Sequence, residues 1–321
     1  MISIFYLLII VVGFGALIKG AEWLIDGASA IASRFGMSNF VIGLTIVSFG
    51  TSAPELLVSM TAAFSGNADI AIGNVIGSNI SNTLLILGAT AIVAVKPLKI
   101  RHGTVWKELP FMLLAMLILG VFANDVIIDG SATSIIRRSE GIVLLAFFAI
   151  FMFYTFGLGS EDGEAERIEK KTLPVAFMWM AIGLAGLVIG GKLSVEGASQ
   201  LAMQLGFSEA FIGVTIIALG TSLPELVTSI VAAKKGKVDL AVGNVVGSNL
   251  FNVFFVLGAT ATVTPLAFSS VLQADLALAI FASVLVFAAM FYGKRFKLGT
   301  GKGLQLLVLY IAYIIFVTMR G

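Results

Sequence analysis

Two glutamates are the residues in this sequence best suited to chemistry. Glu55 and Glu225 close two copies of one motif, Gly50-Thr51-Ser52-Ala53-Pro54-Glu55 and Gly220-Thr221-Ser222-Leu223-Pro224-Glu225, and each stands inside a long apolar run. A charged side chain at the centre of a bilayer costs about 2.5–3.5 kcal/mol on insertion scales. No Lys or Arg recurs beside both copies, so a bound cation is the simplest partner; a protonated carboxyl held by a neighbouring helix is the alternative. Proline has no N–H, and its ring collides with the carbonyl four residues back. A helix break is therefore expected around Gly50–Ser52 and Gly220–Ser222. Broken backbone at membrane depth is tolerated where it lines a polar cavity, and its freed carbonyls are hard oxygen ligands. A plain proline kink would not require the adjoining Thr-Ser and Glu twice.

Helical spacing gathers more oxygen around these positions. Ser52, Glu55 and Ser59 share a face, as do Ser222, Glu225 and Ser229. On the following helix Asn74, Ser78 and Asn82 share a face, repeated by Asn244, Ser248 and Asn252. Asn74 and Asn244 could equally be glue between helices. The candidate ligands are the two carboxylates, backbone carbonyls, the hydroxyls of Ser52, Ser78, Ser222 and Ser248, and the amides of Asn82 and Asn252. An all-oxygen set suits hard cations. Calcium accepts six to eight oxygens flexibly, and two carboxylates match its charge. The same oxygens, shared differently, could hold several sodium ions. Mutually exclusive occupancy by two kinds of ion is the physical basis of exchange.

These residues belong to a larger repeat. Shifted by 170 positions, the sequence matches itself without a gap through both motifs, through Gly73-Asn74-x-x-Gly77-Ser78-Asn79 over Gly243-Asn244-x-x-Gly247-Ser248-Asn249, and in Gly27-Ala28 over Gly197-Ala198. The chain has 321 residues, 59% apolar and 12% charged, with a net charge of +2, one histidine (His102) and no cysteine. Soluble domains carry about 25% charged residues. The composition excludes an ordinary soluble enzyme, a nucleic-acid binder, thiolate chemistry and a multi-histidine metal site. It implies an all-α polytopic protein of the cell membrane. Ten spans are expected at 2–33 (interrupted near Lys19–Asp26), 39–64, 69–94, 106–124, 140–158, 173–203, 209–233, 239–264, 271–292 and 303–319. Five spans per half is an odd number, so the second half enters the membrane upside down: two inverted five-helix repeats, 1–160 and 173–321, joined by a cytoplasmic linker, 161–172. Such a plan places a substrate site at the repeat interface near the bilayer midplane. Fifteen of the 20 basic residues fall in the loops after odd-numbered spans, which puts those loops in the cytoplasm and both termini outside. Lys19 and Lys192 lie inside spans.

The paired Gly-Thr-Ser-x-Pro-Glu and Gly-Asn-x-x-Gly-Ser-Asn motifs closely resemble the alpha repeats of the sodium/calcium exchangers, prokaryotic-type members of the cation/calcium antiporter superfamily. The resemblance covers nearly the whole chain. It implies ten helices, alternating access, and electrogenic exchange in which sodium entry drives calcium out. By the same resemblance Glu55 and Glu225 are shared carboxylate ligands, and Ser52, Ser222, Ser78 and Ser248 are side-chain ligands. Thr51, Thr221, Ser48 and Ala218 match positions that offer backbone carbonyls, and Asn82 and Asn252 form the remaining central pair. Many relatives, notably the potassium-dependent branch, have aspartate in place of the second asparagine; its absence here argues against potassium co-transport. Gly77 and Gly247 stand where the proton-coupled branch carries a further acid, which leaves calcium/proton antiport as the runner-up.

Other classes are less well supported. A channel would use the same ligands without alternation. An enzyme is not expected: there is no nucleophile–base pair, and His102 beside Arg101 reads as a solvated loop residue. Gly186-x4-Gly191-Lys192 resembles a phosphate loop, but Leu193 replaces the required Ser/Thr. Asn79-Ile80-Ser81 fits a glycosylation triplet inside a span. Ser160–Lys171 reads as a solvated linker. No cofactor is expected beyond the transported calcium and sodium. The partners are those ions and the lipid bilayer, with no nucleic acid, and a monomer suffices.

Overall fold

The structure is a computed structural model and describes residues 2–157, 172–206, 216 and 218–320. Without water to satisfy them, backbone groups in a bilayer bond within a helix, and the long apolar runs of this chain do so. In chain order the main helices are α1 (Ile2–Phe35), α2 (Asn39–Thr51), α3 (Ala53–Phe64), α4 (Ala68–Val93), α5 (His102–Phe122), α6 (Arg138–Gly157), α7 (Leu173–Gln204), α8 (Leu223–Lys234), α9 (Val238–Val263), α10 (Ser270–Ala289) and α11 (Thr300–Arg320). Among the described residues eight helices are long and apolar enough to cross a membrane, and α2 with α3 forms a ninth, bent crossing. The expected span 209–233 falls partly outside the described residues. Within them it comprises a short helix, Ala218–Gly220, followed by α8. The linker expected at 161–172 lies outside them apart from Thr172.

One expectation needs correction. The first span is not interrupted: α1 is continuous through Lys19–Asp26. Lys19 bonds Glu22 at 2.7 Å one turn on, and Asp26 pairs with Lys235 at 2.8 Å, so the charges are met without breaking the helix. The described chain is mostly helical, and short ladders join some of its loops. Strand β1 (Leu98–Lys99) pairs antiparallel with β4 (Lys297–Leu298), and β2 (Ile135–Ile136) with β3 (Leu266–Ala267). Two-residue ladders carry no periodic signal, and they form between loops distant in sequence. They also sort the loops. β1 and β4 join the loops after the third and ninth expected spans, whereas β2 and β3 join those after the fourth and eighth.

The core lies around α4 and α9: 94% of the apolar stretch of α9 is buried, against 22% for α1 and for α7. α1 and α7 instead pack on each other along a glycine seam. A Cβ added at Gly13 would meet Gly190 O at 2.9 Å, one at Gly20 would meet Gly183 O at 2.8 Å, and one at Gly27 would meet Ala176 O at 2.7 Å. One number rises as the other falls, so the two helices run antiparallel. Gly13, Gly20 and Gly27 recur 170 residues on as Gly183, Gly190 and Gly197, a seven-residue spacing that keeps one small-residue face along each helix and lets the backbones touch. Gly20→Leu should therefore lower stability by about 1–3 kcal/mol through overpacking, read as a lower unfolding temperature in detergent. Gly15→Leu, where an added Cβ meets nothing within 4 Å, should leave it unchanged.

Candidate cation site

The two motif glutamates begin helices. α3 starts after Ser52 (φ −86°, ψ 4°) and α8 after Ser222 (φ −85°, ψ 0°), so the two breaks have matching geometry. Pro54 and Pro224 fall in the first two positions of their helices, where a missing N–H is harmless. Glu55 and Glu225 fall in the first turn, where the helix dipole favours negative charge. The first break is narrower than the sequence suggests: Gly50 and Thr51 stay helical, and the Ser52 N–H still donates to Ser48 O at 2.9 Å. The chain nevertheless bends by 43° there. In the second half Thr221 and Ser222 both form the turn.

The motifs interlock. Ser52 Oγ donates to Glu225 Oε1 at 3.0 Å, so the serine of one half holds the carboxylate of the other. Ser78 Oγ donates to Glu55 Oε1 at 3.3 Å, and Ser222 Oγ donates to Ser78 Oγ at 3.5 Å. Both glutamates are 1% exposed, and they lie close enough to interact electrostatically. Thr51 Oγ1 donates to Ser48 O at 3.3 Å and to Asn244 Oδ1 at 3.2 Å, and Ser48 Oγ donates to Asn244 O at 3.0 Å. Asn74 and Asn244 take the structural role weighed for them. Asn74 Nδ2 donates to Glu55 O and Ser59 Oγ at 3.1 and 2.9 Å, and Asn244 Nδ2 donates to Glu225 O and Ser229 Oγ at 3.5 and 3.0 Å. Each asparagine pins the start of a glutamate-bearing helix to the next helix.

What remains unpaired is informative, because buried polar atoms normally have partners. Glu55 Oε2, Glu225 Oε2, Ser248 Oγ, Thr221 Oγ1, Asn252 Oδ1 and both polar atoms of Asn82 are buried without one among the described residues. These seven atoms belong to residues that the sequence nominates as ligands; eight others among the described residues, including atoms of Thr90, Glu108, Thr155 and Asp275, do not. Asn82 and Asn252 lie in wide, π-helical stretches, Ser81–Ile86 and Phe251–Leu257, which begin at equivalent repeat positions. Ala218 opens the short helix before the second break, and its expected contribution is a main-chain carbonyl. No group of three or more Asp, Glu, His or Cys occurs among the described residues, so fixed negative charge comes from the two glutamates alone. Such a donor set fits a hard cation.

Sequence reasoning missed one neighbouring pair. Asn79 Nδ2 donates to Asn249 O at 3.2 Å, Asn249 Nδ2 donates to Thr83 Oγ1 at 3.2 Å, and Asn252 Nδ2 donates to Asn79 Oδ1 at 3.1 Å. These bonds tie α4 to α9 beside the site. The available signal was the third residue of Gly-Ser-Asn, repeated in both halves. At 3% exposure, Asn79 is no glycosylation acceptor.

The sequence profile of the family described as sodium/calcium exchanger protein matches residues 5–157 and 175–319. Inner membrane protein YrbG of Escherichia coli is 36% identical over 314 residues, covering 93% of this chain and 92% of that protein. The sodium/calcium exchanger MaX1 of Methanosarcina acetivorans is 30% identical over 343 residues, covering 96% and 97%. A structure of the sodium-calcium exchanger NCX_Mj, soaked with 10 mM Na+ and zero Ca2+, superposes with a TM-score of 0.82 at 32% identity, covering 98% of this chain and 99% of that one.

The pinning asparagines can be tested directly. Asn244→Ala strands buried partners on Glu225, Ser229 and Thr51, a loss of about 1–3 kcal/mol. It should lower the unfolding temperature in detergent more than Asn74→Ala, since Asn74 is only half-buried. A wild-type unfolding temperature for Asn244→Ala would contradict the geometry.

Proposed function

The chain belongs to the sodium/calcium exchanger family, and on that premise we propose that it exchanges sodium for calcium by alternating access at one central all-oxygen site. It is a multi-pass membrane protein and a cation antiporter by family. Exchange at this site is supported above all by one observation: two buried carboxylates, each held by a serine, lie among buried oxygens that have no partner.

In this reading Glu55 and Glu225 are the shared ligands. Ser52, Ser78, Ser222 and Ser248 supply hydroxyls, Asn82 and Asn252 supply amides, and Ser48, Thr51, Ala218 and Thr221 supply carbonyls. One calcium neutralises both carboxylates, and so do sodium ions sharing the same oxygens. With neither bound, two like charges would be stranded in an apolar interior, where an unpaired ion costs several kcal/mol. That penalty opposes reorientation of the empty carrier and couples the two fluxes. The antiparallel run of α1 and α7, whose glycines recur at the repeat interval, supports two inverted five-helix repeats, 1–160 and 173–321, and ten spans in all. The distribution of Lys and Arg supports termini outside the cell.

Alternation requires the site to open to one side at a time, and the surroundings of the two breaks differ accordingly. Beside the second break a cavity of about 440 Å³ is lined by Pro54, Gly220, Thr221 and Pro224 and by α7. Of the equivalent positions along α1 and the first break, Ala21, Ile25, Ser29 and Thr51 are buried, whereas Ile18, Glu22 and Asp26 are not. There Lys235 bonds Asp26 at 2.8 Å and Lys237 bonds Ser29 at 2.8 Å, tying α1 to the turn after α8. With termini outside, the cavity faces outward and these bonds close the cytoplasmic side. The calcium/proton alternative has less support: Gly77 and Gly247 stand where the proton-coupled branch carries an acid, and at Gly247 an added Cβ would lie 2.5 Å from Leu44 O, whereas at Gly77 it would meet nothing within 4 Å.

Purified protein in sodium-loaded vesicles should take up calcium when external sodium is removed, and Glu55→Ala or Glu225→Ala should abolish uptake without preventing insertion. Uptake that ignores the sodium gradient and follows a pH gradient would overturn the sodium assignment. Transport surviving both substitutions would overturn the site. The chain lacks cysteine, so alternation can be read by labelling one introduced thiol. Gln200→Cys in the cavity wall should react with an impermeant thiol reagent from outside, and adding Asp26→Asn should slow that reaction by releasing the inner closure. Unchanged labelling would rule out Lys235–Asp26 as part of that closure.

A further inference from the structure

Two charged residues inside a span have no role in the site described above. Lys192 and Glu196 stand one turn apart on α7 and are both exposed. Among the described residues neither forms a hydrogen bond or an ion pair, with the other or with anything else. Charges within spans face a bundle interior or a water-filled cavity. Both side chains line the 440 Å³ cavity, together with Ser199 and Gln200 of the same helix. At ~30 Å³ per molecule such a space has room for about 15 waters, enough for a hydrated cation. Its far wall contains Pro54 and Pro224, each next in sequence to a site glutamate, and Thr221. The corresponding positions on α1 are Glu22 and Asp26, which pair with Lys19 and Lys235. The charges along the open approach are unpaired, and those along the closed one are paired.

We propose that Lys192 and Glu196 form an opposed pair of fixed charges that tunes the field on the outer approach to the cation site, Lys192 opposing and Glu196 favouring entry, and that each charge weighs on calcium as the square of its weight on sodium. The proposal rests on the exchanger reading above and deepens it. A fixed charge in a water-filled cleft with low-dielectric walls changes the local activity of a passing ion. The free energy scales with ionic charge, so a factor that applies once to sodium applies squared to calcium. Side-chain charges set cation access to pores in the same way. One unit charge about 10 Å from the path, at an effective dielectric between protein and water, shifts sodium by about three- to fivefold and calcium by about nine- to twenty-five-fold. Direct ligands would not follow this square law, since removing one alters geometry as well as charge.

The test uses full-length protein in oriented vesicles, with the apparent KM for external calcium and external sodium measured separately. Glu196→Gln should raise both, and the fold-change for calcium should be the square of that for sodium. Lys192→Gln should lower both by the same rule, and the double variant should return towards wild type. About 0.5 M choline chloride should shrink every effect, because the Debye length then falls below ~5 Å. The cytoplasmic KM values should not move. Equal fold-changes for the two ions, shifts on both sides of the membrane, or unmoved external KM values would overturn this role while leaving exchange intact. If wild-type protein performs no sodium-dependent calcium exchange, the exchanger reading fails and the role with it. The two single variants have opposite expected signs, so either one decides the question if the other does not insert.

Discussion

Two carboxylates buried in the apolar middle of a membrane protein, with no fixed cation recurring beside them, are the constraint on which the rest of this structure depends. Like charges held together in a low-dielectric interior repel and are poorly solvated. The chain meets this by starting a new helix two residues before each glutamate. The break supplies a helix N-terminus, a missing proline N–H and nearby hydroxyls. Ser52 from one half reaches Glu225 in the other, so neither half completes the site alone. The asparagines behind the glutamates then fix where α3 and α8 begin.

Close packing around the site follows from glycine. Gly43, Gly243 and Gly247 bring α2 and α9 into backbone contact; a Cβ at Gly243 would meet Phe40 O at 2.6 Å. That approach lets Ser48 and Thr51 of α2 bond Asn244 of α9. The α1–α7 seam has the same chemistry but lies outside the main core, and α7 also forms a wall of the cavity beside the second break. The ion pair between Arg101 and Asp239, at 2.5 Å, ties the loop after α4 to the start of α9 on the face where Lys235 and Lys237 bond α1. One face of the protein is thus held together by charge, while the approach along α7 leaves its charges unpaired.

Much of this was legible in the sequence because hydrophobicity and repetition report it directly. Glu55 and Glu225 stand out in a chain this poor in charge, and the interval of 170 residues pairs every ligand candidate with a counterpart. The resemblance to a known family then named the ion class. Other features depend on contacts that no local pattern encodes. The partner of Asp26 on α1 is Lys235, more than 200 residues away in sequence. The bonds of Asn79 and Asn249 emerge only once α4 and α9 lie side by side, and the two-residue ladders only once distant loops meet. The break at Ser52 is narrower than its glycine and proline suggest, because the bond to Ser48 O survives there. Lys192 read as an oddity of a phosphate-loop lookalike, and only the cavity beside it gives it a setting.

The central claim is that calcium and sodium compete for one set of oxygens around Glu55 and Glu225. Equilibrium binding of radioactive calcium to the purified protein in detergent, titrated with sodium, tests it most directly. One calcium per chain should be bound, and sodium should displace it completely along a curve steeper than a single-site isotherm, since more than one sodium replaces each calcium. Calcium binding that persists at saturating sodium, or binding unchanged when both glutamates are replaced by glutamine, would contradict a shared site.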